Sequence, residues 1–181
     1  AEAQKAGGEA IAVRADVPDF EEARGLVERT LAKWGRIDVL VNTVGRFHWN
    51  PLVEMEPEEW RRIVATNLDS VFHMCRLVVP HMRERRFGRI VNLAAVGAAG
   101  TQGEPQMTAY GAAKAGVVAL SRALALEEAR CGITVNVVSP VAAETAMARQ
   151  ITAERRADIM SRIPTGRFVE LDEIASMTAW L

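Results

Sequence analysis

Ile37-Asp38-Val39-Leu40-Val41 runs directly into Asn42-Thr43-Val44-Gly45, and this stretch decides the fold class. A strand with one wet face would alternate apolar and polar residues, whereas a nearly continuous apolar run suits a parallel sheet covered by helices on both faces. Two further runs have the same character: Arg89-Ile90-Val91-Asn92-Leu93 and Ile133-Thr134-Val135-Asn136-Val137-Val138. Ile11-Ala12-Val13-Arg14-Ala15 reads as a shorter strand closed by Asp16-Val17-Pro18.

Helical segments lie between these runs. Asp19 and Glu22 form a capping pair that opens a helix over Phe20 to Trp34. Phe20, Ala23, Val27, Thr30 and Trp34 recur at three or four residues, giving one buried stripe, and Gly35 ends the segment. A long helical region is expected from Pro57 to about Arg85, with irregular points at Thr66-Asn67 and Pro80, because an interior proline removes a backbone hydrogen bond. A last long helix runs from Tyr110 to about Arg130 and stops at Cys131-Gly132. With no internal repeat or linker, the alternation predicts a single α/β domain over residues 1–181.

Composition narrows the class of function. A chain of 181 residues with a 49% hydrophobic share can bury a sizeable core, and a net charge of -1 offers no general attraction to nucleic acid or to acidic membranes. No apolar run approaches membrane-spanning length and no signal peptide is visible. Cys75 and Cys131 read as free thiols of a reducing compartment, so the expected location is cytoplasmic. His48, His73 and His81 have no metal-site spacing with cysteine or carboxylates, and no metal is predicted. Arg83-Glu84-Arg85-Arg86 reads as a solvated helix end whose cations complement the helix dipole.

Tyr110-Gly111-Ala112-Ala113-Lys114 carries the chemistry. Four-residue spacing sets a phenol and an ammonium on one helix face, and a nearby cation lowers a phenol pKa. That pair can donate and take back a proton at a carbonyl oxygen. The strand over 89–93 feeds the loop before Tyr110, so the helix begins on the carboxyl side of the sheet, where ligands of open parallel sheets bind.

In order and spacing these pieces resemble the short-chain dehydrogenase/reductase family, closest to its bacterial 3-oxoacyl-thioester reductases. The matching segments are Asp16-Val17, Asp38 through Gly45, Thr66-Asn67-Leu68, Tyr110 with Lys114, Ser139-Pro140 through Thr145, and Ile163-Pro164-Thr165-Gly166-Arg167-Phe168. The resemblance implies a Rossmann-type doubly wound parallel sheet in three α/β/α layers and a reaction interconverting a ketone and a secondary alcohol with NAD or NADP. It implies catalytic roles for Tyr110 as acid/base, Lys114 as its electrostatic partner and Asn67 in a proton relay. Asp16, Val17, Asn42, Gly45, Pro140 and Thr145 would contact the cofactor together with Tyr110 and Lys114. Each has a plainer alternative: Asn67 as the filler of a helix irregularity, Asp16 as a strand end, Asn42 and Gly45 as an ordinary turn, Thr145 as a helix cap. His48, Trp49 and Met107 are candidates for the substrate pocket. Family members assemble as dimers or tetramers through the helices over 68–85 and 110–130, where Val71, Met74, Val78, Val117 and Leu120 serve either that contact or the monomer core.

Three departures qualify the resemblance. Ala94 and Ala95 stand where the family carries its catalytic serine, which leaves a weak or silent cofactor-binding relative as the alternative function; Thr101 or Thr108 is a candidate replacement hydroxyl. Thr43-Val44 replaces Asn-Ala and Val141 replaces a glycine, so both loops must avoid positive φ. The family's first strands and Gly-rich turn have no counterpart, nor does its last strand after Trp180-Leu181. The sheet is therefore expected to have a gap beside the strand over 11–15, either because the sequence is a portion of a longer protein or because another chain fills it. NAD and NADP cannot be told apart without those segments.

Overall fold

The computed structural model describes residues 7–95, 103–145 and 148–181. Six α-helices and three strands alternate along it: α1 Phe20–Trp34, β1 Val39–Asn42, α2 Pro57–Val64, α3 Ser70–Arg85, β2 Gly88–Leu93, α4 Thr108–Glu128, β3 Ile133–Val138, α5 Ala153–Ser161 and α6 Leu171–Trp180. The strands form one parallel sheet in the order β1-β2-β3, with Asn42 opposite Asn92 and Leu93 opposite Val138. The expected parallel α/β architecture is present.

Local chemistry explains the boundaries. The Asp19 carboxylate accepts from the amides of Glu21 and Glu22, while Glu22 reaches back to the Asp16 amide at 2.7 Å, so the helix start is satisfied from both sides. After α4 a short 3-10 turn leads to Gly132, whose φ of 74° is left-handed and where any Cβ would clash with the Arg86 carbonyl oxygen.

The main core lies on one face of the sheet. Leu40, Ile90 and Ile133 pack against Val71, Met74, Val78 and Met82 of α3, Ala23 and Val27 of α1, and Val117 of α4. Val71, Met74, Val78 and Val117 are thus interior residues of the monomer, so an assembly through α3 and α4 must use their outer faces. Burying such side chains at about 25 cal/mol per Å² is the principal source of stability. On the second face α6 lies against β3, and a groove of about 750 Å³ opens between Val39, Val41, Val91, Leu93 and the helix. Val39 and Val41 remain 55% and 40% exposed there.

Four expectations are corrected. Residues 11–15 form no strand and make no pairing with β1; an extended segment becomes a strand only where a neighbour completes its ladder. Trp34 is 39% exposed and leaves the buried stripe, its indole donating to Glu9 at 3.3 Å. Pro80 leaves α3 continuous. The arginine run is not merely solvated: Arg83 makes a bidentate ion pair with the fully buried Glu128, Arg85 reaches Asp38 at 3.2 Å, and Arg86 donates to the Arg130 carbonyl at 2.8 Å. These contacts tie the end of α3 to the start of β1 and the end of α4.

Candidate active site

Between α2 and α3 the helix widens into a π-turn over Ala65–Asp69. The expected irregularity at Thr66-Asn67 is therefore real, and π-bulges are frequent at functional sites. The extra residue turns Asn67 fully into the interior, at 0% exposure. Its Nδ2 donates to the Ile63 carbonyl at 2.8 Å and to the Arg46 carbonyl at 2.6 Å, while Oδ1 accepts from the Arg46 amide at 3.2 Å. Asn67 thus satisfies a helix carbonyl and clamps the turn that follows β1.

Gly45 sits inside that clamp. A Cβ built on it would stand 2.9 Å from Asn67 Oδ1 and 3.4 Å from Lys114 Nζ. Only glycine allows the loop, the π-turn and the ammonium to converge this closely. Lys114 is 4% exposed, and its ammonium donates to the carbonyl of Leu93, the last residue of β2, at 2.8 Å. An ammonium has three N–H donors, and among the described residues that carbonyl is the one acceptor it engages. Burial lowers the Lys114 pKa to about 8, because desolvation disfavours the charged form.

Tyr110, in the first turn of α4, is half-buried, and burial raises its phenol pKa. The Lys114 ammonium lies 5.8 Å from the centroid of its ring. Sequence spacing brings the two groups together as expected, but the shifts in this structure come from desolvation of each group, upward for the phenol and downward for the ammonium. At neutral pH Tyr110 therefore holds its proton and Lys114 keeps most of its charge.

The remaining candidates divide. Asn42 is buried in a polar network: its amide donates to Asn92 Oδ1 at 2.8 Å and lies 3.9 Å from Cys75 Sγ, while Asn92 donates to Ser121 Oγ at 2.8 Å. That buried network fixes β1, β2 and α4 relative to one another; burial pushes the Cys75 thiol up to about 12, against the hydrogen bonding of Asn42 and Asn92, which lowers it. Asn92 and Ser121 escaped the sequence reading; a polar residue amid a continuous apolar strand was the available signal. Thr145 accepts from the Ala148 amide at 3.1 Å and caps a 3-10 turn. Asp16 is exposed and Val17 buried, with the Val17 carbonyl 3.1 Å from His73 Nδ1. Pro140 follows β3 in the loop toward Thr145, half-buried. Neither Val44 nor Val141 enters the left-handed region. Ala95 is half-buried beside Ala94, whose amide donates to the Val138 carbonyl at 2.9 Å. Thr108 opens α4 with an exposed side chain, and Thr101 lies outside the described residues. His48 is exposed and pairs with Glu59; Trp49 and Met107 are half-buried. Among the described residues no cluster suits a metal ion, and no helix is long and apolar enough to cross a membrane.

The family model for enoyl-(acyl carrier protein) reductase matches residues 1–181. The chain is 44% identical over 166 residues to 3-oxoacyl-(acyl-carrier-protein) reductase FabG of Haemophilus influenzae, spanning 92% of this chain and 68% of that protein. It is 40% identical over the same length to the Escherichia coli protein of that name, spanning 67% of it. A solved structure of a variant actinorhodin polyketide ketoreductase with NADPH superposes with a TM-score of 0.92 at 39% identity, covering 99% of this chain and 73% of that one. By its matched length, its sequence identity to these relatives and its parallel sheet, the chain belongs to the short-chain dehydrogenase/reductase family of NAD(P)-dependent oxidoreductases.

Proposed function

We propose that this protein reduces the ketone of a 3-oxoacyl thioester or similar small molecule to a secondary alcohol, with Tyr110 as the proton donor. The observation that carries the reading is the convergence of Gly45, Asn67 and Lys114 beside Tyr110 at the carboxyl ends of the strands. The site fits a nicotinamide cofactor in that the Lys114 ammonium engages one acceptor among the described residues and has donors to spare for ribose hydroxyls. Bound NADPH, or NADH, supplies the hydride that arrives at the carbonyl carbon.

The chain's own groups do the rest. Tyr110, protonated at neutral pH, gives its phenol proton to the carbonyl oxygen as negative charge develops there. The tyrosinate left behind is stabilised by the Lys114 cation, whose nitrogen lies 5.8 Å from the ring centroid, until a proton returns. Asn67 acts as a positioning residue that holds the turn at Gly45; its Oδ1 keeps one lone pair for a water on the route to Lys114. Val17, Pro140 and Thr145 are assigned to the flanks of the cofactor, with Asp16 at the adenine; Asn42 acts beneath it through the Asn92 network.

Ala95 favours a second reading, a slow or silent relative that binds cofactor without efficient turnover. Losing one hydrogen-bond donor to the substrate oxygen costs about 3 kcal/mol, roughly a hundredfold to a thousandfold in rate. The test is to follow nicotinamide absorbance with the whole protein and a panel of 3-oxoacyl thioesters, diketones and quinones. Turnover abolished in Tyr110→Phe, with cofactor binding retained, supports the reductase; cofactor binding with no turnover across the panel refutes it in favour of the silent relative.

A further inference from the structure

The Tyr110 phenol has an apolar neighbour that proton transfer does not require. Phe47 meets it edge-on, with ring centroids 5.8 Å apart and planes at 64°. Trp49 packs against Phe47 in the same manner at 5.5 Å and 78°, both within the preferred range for aromatic pairs. The guanidinium of Arg155, on α5, lies 3.5 Å over the Trp49 ring and donates to Gln106 Oε1 at 3.1 Å. Gln106 holds a left-handed backbone with φ of 66°, and its carbonyl accepts from the Asn50 amide at 2.9 Å. A non-glycine residue stays in that conformation only where its surroundings over-determine it. The loop after β1, the turn before α4 and α5 are therefore laced together around Tyr110, and Phe47 is the member of that lacing in contact with the phenol.

We propose that Phe47, braced by Trp49 and Arg155, is a specificity-determining residue: it narrows the carbonyl's approach to Tyr110, so that ketones unbranched next to the carbonyl are accepted and those with bulky α-substituents are turned away. This rests on the ketone-reducing reading. A braced wall cannot yield to an extra alkyl group as a flexible side chain would, and one methylene of misfit in an apolar pocket is worth roughly 10-fold to 200-fold in specificity. Cutting Phe47 back to alanine removes the wall and leaves Tyr110 and Lys114 untouched.

Tyr110 is the single tyrosine of the chain, so ring-labelled tyrosine gives an NMR signal that reports this phenol alone, with or without turnover. The whole protein is compared as wild type, Phe47→Leu and Phe47→Ala, using 3-oxoacyl thioesters that are unbranched or dimethylated at the α-carbon. The wild-type kcat/KM ratio should favour the unbranched substrate by at least about 10-fold, and the preference should fall by about 10-fold or more in Phe47→Ala, with Phe47→Leu between. In the binding arm, without reduced cofactor, the wild-type signal should move with the unbranched compound and not with the branched one, and the Phe47→Ala signal with both. A kcat/KM ratio within twofold of wild type in both variants overturns the inference, as does a wild-type signal that answers both compounds equally or neither. If the signal discriminates while no variant turns over any ketone, the wall stands and the reductase reading falls. Should Phe47→Ala not fold, Phe47→Leu and the wild-type arm decide.

Discussion

Gly45→Ala is the sharpest probe of the cleft. The added Cβ would sit 2.9 Å from Asn67 Oδ1 and 3.4 Å from Lys114 Nζ. Relief by moving the Asn67 amide means retreating about half an ångström to ordinary contact, and that amide is held at three points, of which the 3.2 Å bond from the Arg46 amide is the weakest. Losing that bond costs about 1 kcal/mol, and leaving part of the buried amide unpaired or straining the turn adds about 1–2 kcal/mol. A total of about 2–3 kcal/mol corresponds to roughly a 30-fold to 150-fold weakening, divided between folding and cofactor binding. Urea unfolding and fluorescence titration with NADPH together capture both shares. A Gly45→Ala protein that unfolds within about 0.5 kcal/mol of wild type and binds NADPH within twofold would refute the close convergence of Gly45, Asn67 and Lys114.

Two further outcomes follow from buried polar groups. Asn92→Leu strands the Asn42 amide and leaves Ser121 without its donor; unfolding free energy should fall by about 2–4 kcal/mol in a urea titration, and a loss below about 0.5 kcal/mol would contradict the network. Lys114 has a folded pKa of about 8, below the value of about 10.4 for an unfolded chain. Protonation thus favours the unfolded state, so the stability this group contributes is fully present above about pH 10 and is lost as pH falls through that window toward 8. Lys114→Met removes the dependence: relative to wild type it should gain stability on going from pH 10 to pH 7, by as much as about 3 kcal/mol, and a pH-independent difference would show that the ammonium is not desolvated.

Legibility from sequence followed the range of the interactions involved. The bounds of α1 were readable because Asp19 and Gly35 act within a few residues, and β2 and β3 because continuous apolar runs have few alternatives. The Tyr110 and Lys114 pairing was readable because helix geometry alone sets it. Ile11 to Ala15 was not, since a strand depends on a neighbour that no local pattern encodes. The buried bond from the Asn42 amide to Asn92 was not legible either, because its partner lies fifty residues away. The aromatic contact of Phe47 with Tyr110 was invisible for the same reason, and the sequence marked the irregularity at Asn67 without revealing that it was a widened turn.

That widened turn sets tidy folding against usefulness. Over Ala65–Asp69 the helix accepts a poorer hydrogen-bond pattern than α2 and α3 on either side. Deleting a single residue there would let α2 and α3 merge into one straight rod and swing Asn67 about a quarter-turn around its axis, out of reach of Arg46. The shortened protein could then melt at a higher temperature and bind its nucleotide less well, so a search that rewards heat resistance alone would be drawn toward erasing the cleft.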